Sequence, residues 1–215
     1  MNIYAERLNL VMNGIKILDE VSFSIPDGSF SCIIGPNGAG KSSLLRVISK
    51  DLSGYSGSIS NLKPDQMTYL PQDLVAPPFL STIEVVKLGF FRRSLTNNEQ
   101  EIESLKLLES YGIKHLAFHS FADISAGEKQ RAWLAFALAQ SKKIIFMDEP
   151  LAAIDYTARK NFFTLLSTIV HSGKTLVLVT HDIGLAIEMC DHLIVLESGK
   201  KVFEGTPTDF QTSSE

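Results

Sequence analysis

Cysteine is scarce in this chain: there are two, Cys32 and Cys190, far apart and in apolar surroundings, without the short spacings that build zinc or redox motifs. They read as small buried thiols, which suits a reducing compartment. Long apolar runs are missing as well, for nothing approaches the ~18 consecutive residues needed to span a bilayer. The first residues, Met1-Asn2-Ile3-Tyr4-Ala5-Glu6, lack the basic stretch and apolar run of an export signal. A soluble protein is expected, one that meets a membrane only through a partner. Nor is positive charge in excess: the formal net charge is −4 and no basic patch stands out, which argues against a nucleic-acid partner. No repeat or low-complexity segment divides the chain. What is present is ordinary globular composition, 45% hydrophobic and 20% charged. At 215 residues the chain exceeds the commonest domain size but is short for two, so one compact unit with a small inserted subdomain is expected.

Short β-like runs separated by turns fill the start, at 8–11, 15–18 and 21–25, followed by Pro26-Asp27-Gly28 and the apolar run 30–34. A Gly-rich turn at 35–40 then leads into a segment with Leu44, Leu45, Val47 and Ile48 at helical spacing. A buried strand thus runs through a loop into a helix, the first half of an α/β unit. Ser81 with Glu84, Thr96 with Glu99, and Ser125 with Glu128 are capping-box patterns, each opening a helix. The second helix runs to Tyr111 with Gly112 as its stop, and the third carries 131–140. β-like runs return at 144–147 and 175–180 around a helix from about 155 to 171, and 193–203 looks like a hairpin at a sheet edge. Strands alternating with helices predict an α/β fold with a mainly parallel sheet covered on both faces. An antiparallel β region precedes it, and a helical subdomain is expected at about 81–121, between core segments 1–80 and 122–215.

The turn has chemistry of its own. Gly35-Pro36-Asn37-Gly38-Ala39-Gly40-Lys41-Ser42 fits G-x-x-x-x-G-K-[ST] in full, with the required strand before it and helix after. Its glycines let consecutive backbone N–H groups turn inward around a phosphate, Lys41 supplies a point charge, and the Ser42 hydroxyl can ligate Mg²⁺. The matching half of such a site is an apolar strand ending in an acid, and Ile144-Ile145-Phe146-Met147-Asp148-Glu149 supplies two. Asp148 is placed to hold Mg²⁺, and Glu149 to polarise an attacking water. Ser125 at a helix start followed by Gly127 exposes N–H groups and a dipole end that favour an anion. His115 and His119 have no third ligand partner and read as surface residues, and Trp133 as a core residue.

Together these elements resemble a P-loop NTPase of RecA-like fold, and Ile124-Ser125-Ala126-Gly127-Glu128-Lys129-Gln130-Arg131 resembles the signature of the ABC ATPases, usually Leu-Ser-Gly-Gly-Gln. Gln72, after the run 67–70, looks like that family's Q-loop glutamine. Residues 151–155 look like its D-loop, with Asp155 the residue carried over, and His181 looks like its switch histidine. The resemblance covers essentially the whole chain. It implies ATP held by Gly35, Pro36, Asn37, Gly38, Ala39, Gly40, Lys41, Ser42 and Ser43, with Met12 against the base. It implies Mg²⁺ at Ser42, Gln72 and Asp148, and catalysis by Glu149, His181, Gln72 and Lys41. Ser125, Ala126, Gly127 and Glu128 would act on the nucleotide of an opposing chain. Four positions depart from the family: Ala126 for glycine, Glu128 for glutamine, Ala152 for a small polar residue, and Met12, a thioether where an aromatic ring is common.

The resemblance also implies partners and place: a homodimer or a pairing with a second ATPase subunit, integral membrane permeases, an extracytoplasmic substrate-binding protein, and a peripheral position on the cytoplasmic face of the cell membrane. The helix 131–140 and the segment 82–86 are similar to importers of iron chelates, haem, cobalamin or metal ions. Other cargo and export stay open, as do a soluble ABC ATPase working on ribosomes or DNA and a module that closes on ATP without hydrolysing it.

Overall fold

A computed structural model describes residues 1–150 and 155–213. Most of the expected D-loop, Ala152 included, lies outside the described residues. In chain order the elements are β1 (Ile3–Met12), β2 (Ile15–Ile25), β3 (Phe30–Ile34), α1 (Lys41–Ile48), β4 (Ser56–Ser60) and β5 (Met67–Leu70). There follow α2 (Thr82–Leu88), α3 (Asn97–Ser110), α4 (Ala126–Ala139), β6 (Ile144–Asp148) and α5 (Tyr156–His171). The chain continues through β7 (Thr175–Val179), α6 (Ile183–Met189), β8 (His192–Glu197), β9 (Lys200–Gly205) and α7 (Pro207–Ser213).

Two sheets form. The antiparallel one has the order β2-β1-β4, and the larger, six-stranded one the order β5-β6-β7-β3-β8-β9. Its first five strands are parallel, and β9 closes the edge antiparallel to β8, the predicted hairpin. Strands β3, β6 and β7 are buried along their whole length, so their continuous apolar runs serve two faces at once. On one face Ile33, Phe146, Val177, Val179 and Ile194 pack with Leu44, Leu45, Val47 and Ile48 of α1 and the inner face of the antiparallel sheet. On the other, Cys32, Ile145, Met147, Leu176 and Leu178 meet α4, α5 and α6. The switch of face at each residue is the strand period of two. Both cysteines are buried thiols, and burial, with Cys190 alongside, raises the Cys32 thiol well above its ordinary value.

The three capping boxes form as the sequence predicts. Ser81, Thr96 and Ser125 each cap their helix while the glutamate three residues on bonds back to the cap N–H; each such cap is worth about 1 kcal/mol. Helices α2 and α3 pack on α4, where half-buried Trp133 sets its ring edge-on to Phe121 at 5.1 Å and Phe136 at 5.5 Å. His115 and His119 are exposed.

The N-terminal strands differ from the expectation of three short runs. They are two long ones, joined by an Asn13-Gly14 turn with φ of 50° and 77°, the positive pair that a tight hairpin needs. Asp19-Glu20 is no turn: Glu20, at φ 51°, sits at a bulge where its N–H reaches Asn9 Oδ1 at 3.1 Å. The two sheets are joined at the other end of β2, where Ser24 N–H and Oγ both donate to Glu204 Oε1 of β9, at 2.8 and 2.9 Å.

Candidate active site

The loop after β3 is shaped by backbone crowding. Gly35 has φ 144°, and a Cβ there would stand 2.0 Å from the Leu196 carbonyl oxygen of β8, so no side chain fits. Gly40, at φ 97°, turns the loop into α1 with a would-be Cβ 2.9 Å from the Ile17 carbonyl oxygen. The Gly199 N–H donates to Ala39 O at 3.1 Å, tying the loop to the β8–β9 turn. Lys41, 5% exposed, folds over the loop and donates to Gly35 O at 3.0 Å and Pro36 O at 3.1 Å. An ammonium group is thereby held over the glycine-rich loop at a helix start, an arrangement suited to a polyphosphate.

The two acids at the end of β6 differ sharply in environment. Asp148 is 4% exposed and accepts the Ser42 hydroxyl at 2.9 Å. Burial raises its carboxyl above the ordinary value, which the Ser42 bond, the Lys41 charge and the neighbouring Tyr69 hydroxyl only partly oppose. Glu149 stands at φ 39°, a left-handed backbone unusual for a residue with a side chain. Its N–H donates to Val179 O of β7 at 3.0 Å, and its side chain is turned off the sheet end into a cavity of about 280 Å³. Asn37, Gly38, Lys41, Ser42, Ser43 and Ile17 line the same cavity. His181, directly beyond β7, brings Nδ1 to 3.8 Å from Glu149 Oε2. Loop, acids and histidine thus meet at the carboxyl ends of three adjacent parallel strands, the usual ligand crevice of such sheets.

Other expected residues lie apart from that cavity. Gln72 is exposed after β5 and lines a cavity of about 180 Å³ with Ala126, Gln130, Trp133 and Met147. Ser125, Gly127 and Glu128 line a third, of about 380 Å³, with His115, Arg131 and Phe162. Met12 is at the β1–β2 hairpin, 39% exposed, while Ile17 lines the loop cavity. Asp155 caps α5, its carboxylate accepting the Ala158 N–H at 3.0 Å. Sequence reasoning missed Ile17, Gly199 and Tyr69. The first two act through backbone atoms, which leave no side-chain signal.

Comparison with known proteins identifies the family. The family model described as ABC transporter matches residues 18–152. The chain is 32% identical to the hemin import ATP-binding protein HmuV of Photobacterium damsela subsp. piscicida, over 94% of its own length and 83% of that protein's. It is 33% identical to the ferric enterobactin transport ATP-binding protein FepC of Escherichia coli K12, over 97% and 83%. The structure of cbiO1 from Clostridium perfringens, part of the ABC transporter complex cbiONQ, superposes with a TM-score of 0.87 at 26% identity, covering 99% of this chain and 91% of that one. A nucleotide-free ATP-binding cassette of an ABC transporter, 22% identical, superposes with a TM-score of 0.85 over 100% of this chain and 96% of that one, and shares the P-loop NTPase fold. A fully matched phosphate loop, the acids facing it and relatives aligned over nearly the whole chain lead to one assignment: the chain belongs to the ABC transporter family, as an ATP-binding protein.

Proposed function

We propose that this chain is the ATP-hydrolysing motor of an importer of iron chelates such as hemin or ferric siderophores, seated on the cytoplasmic face of the membrane beneath its permeases. One observation carries the chemistry: Lys41, Ser42 and Glu149 line one cavity, with Asp148 hydrogen-bonded to Ser42 beneath it. The cargo rests on the relatives' names, among them an iron(3+)-hydroxamate import ATP-binding protein of Bacillus subtilis, 29% identical.

Mg²⁺ suits the donors present. Ser42 Oγ and Asp148 Oδ1 are hard oxygen atoms 2.9 Å apart, and a buried carboxylate whose charge is disfavoured by burial gains from a cation beside it. Ser42 and Asp148, with Gln72, would hold the ion, and it would neutralise charge on the phosphates. Lys41 and the loop N–H groups hold the phosphate chain, and Ser43 extends that cradle. Met12 covers the base. Water attacks the γ-phosphorus, the bond to the β-phosphate oxygen breaks, and Glu149 accepts the water's proton. His181, beside Glu149, donates to the γ-phosphate and so registers its presence. Two copies meet head to tail, or one copy meets a second ATPase subunit, so that Ser125 and Gly127 close on the partner's γ-phosphate and Asp155 lies at the junction. Residues 81–121 form a helical subdomain that transmits closure to the permeases. Its exposed Leu88 and Phe91 flank a groove lined also by Leu74, Arg92 and Phe136, suited to a membrane partner's cytoplasmic helix. An extracytoplasmic binding protein delivers the cargo.

Glu149→Gln tests this directly: ATP binding measured by calorimetry persists, turnover falls at least a hundredfold, and an ATP-dependent dimer accumulates. Hydrolysis at the parental rate removes Glu149 as the base. Deletion of the gene should abolish growth on ferric chelates as sole iron source; unimpaired growth sinks the cargo assignment alone.

A further inference from the structure

Ser125 has one hydroxyl proton, and the structure shows it already in use. Its Oγ donates to Glu128 Oε2 at 2.6 Å and its N–H donates to the same oxygen at 2.8 Å, while Oγ accepts the Glu128 N–H at 3.4 Å. Both residues line the same cavity. His115 and Arg131 are the basic side chains facing Glu128. Lys129, on the same helix, is turned away to the Ala122 carbonyl oxygen at 2.8 Å. Ser125's bonds hold the Glu128 carboxyl below its ordinary value, so the group is a carboxylate at neutral pH.

We infer that Glu128 is a latch on Ser125, a positioning residue that sets how tightly this chain grips its partner's nucleotide: an incoming γ-phosphate must displace the carboxylate to receive the Ser125 proton. The inference rests on the two-chain reading above and adds to it. A hydroxyl has a single proton to donate, and a charge-assisted bond at this length is among the stronger kinds. A second anion arriving at the same N–H groups also meets the Glu128 charge at close range. The latch thus opposes ATP-driven closure until the phosphate outcompetes it, and it re-forms once the phosphate leaves.

Glu128→Gln removes the charge, keeps the size, and preserves the Ser-x-x-Gln pattern that still caps a helix. It is tested in the Glu149→Gln background, where ATP-bound dimers persist, with dimer affinity measured by sedimentation in excess Mg²⁺-ATP. The expected result is a dimer tighter by about tenfold or more, since each of two sites loses one charge-assisted bond that closure must break. Glu99→Gln, in the same capping box at α3 with Thr96 N–H and Oγ each 2.7 Å from the carboxylate, controls for cap loss and leaves dimer affinity unchanged. A dimer that Glu128→Gln fails to tighten, or weakens, overturns the latch and leaves the two-chain site standing. If Glu149→Gln chains form no ATP-dependent dimer at any concentration, the two-chain reading fails and the latch falls with it.

Discussion

Gly35→Ala isolates the steric basis of the phosphate loop. The added methyl would sit 2.0 Å from the Leu196 carbonyl oxygen, about half of ordinary carbon–oxygen contact. That oxygen belongs to the backbone of β8 and cannot rotate away. Two costs add: a positive φ of 144° without glycine, about 1–2 kcal/mol, and overpacking against a fixed strand, about 1–3 kcal/mol. The sum, about 2–5 kcal/mol, is a large part of what holds a domain folded. Gly14→Ala is the control, because Gly14 has φ 77° with nothing within 4 Å of a Cβ, so it carries the conformational cost alone, about 1 kcal/mol. Urea denaturation of the three proteins, with ATP binding by calorimetry alongside, separates the terms. Gly35→Ala should lose both stability and nucleotide affinity, because the only relief is to move the loop. If it falls within about 0.5 kcal/mol of Gly14→Ala and binds ATP as the parent does, the crowding argument is wrong.

Three further outcomes are expected. Burial alone would raise the Glu204 carboxyl, but hydrogen bonds from Lys201 and Ser24 outweigh it and leave it below the ordinary 4.5; its stabilising share is therefore present above that value and lost as pH falls through the folded one. Glu204→Gln should make the midpoint of urea denaturation less dependent on pH below 4.5, and an unchanged acid slope refutes this. Phe91→Glu, at a side chain 90% exposed, should change stability by less than about 0.5 kcal/mol and leave ATP hydrolysis by the isolated chain intact while permeases no longer copurify; retained copurification removes the groove as the docking site. Mixing Ser125→Arg chains with Lys41→Ala chains should restore part of the ATPase rate that each lacks alone, since a mixed dimer has one site free of both lesions; no rescue at any ratio, with both variants folded, rules out the sandwich.

Much of the fold was legible because its strongest sequence signals are also its largest energies. The apolar runs of β3, β6 and β7 could be buried on both faces only in a covered parallel sheet, and the capping boxes named three helix starts. What escaped buries little. β4 has one half-buried residue, Ile59, among exposed neighbours, and is held by pairing with β1. α7 buries no side chain fully and rests Phe210 against Phe203 at 5.1 Å. α6 is seven residues long with two buried, too short for a period to emerge. The Asp19-Glu20 pair looked like a turn because polar pairs often are, whereas a bulge needs a partner such as Asn9, eleven residues away.

The site divides along the same line. The phosphate loop was legible because close approach of backbone to backbone admits only glycine, and that constraint is written in residue identity. Which parts of the site meet was not legible, since spacing along a chain does not give distance. In the fold, the cavity holding Lys41, Ser42 and Glu149 shares no lining residue, among the described residues, with the one holding Ser125, Gly127 and Glu128. Lys41 and Ser125 thus line separate cavities, and on the proposed two-chain reading Ser125 acts on the phosphate held by another chain. Gln130 lines the signature cavity and the Gln72 cavity alike, and its side-chain amide donates to the carbonyl of Pro150, the residue after Glu149. On the proposed two-chain reading, a shift of α4 as Ser125 engages a partner would have a mechanical route to the backbone beside Glu149, and a route of that kind would tie hydrolysis in one chain to closure on the other.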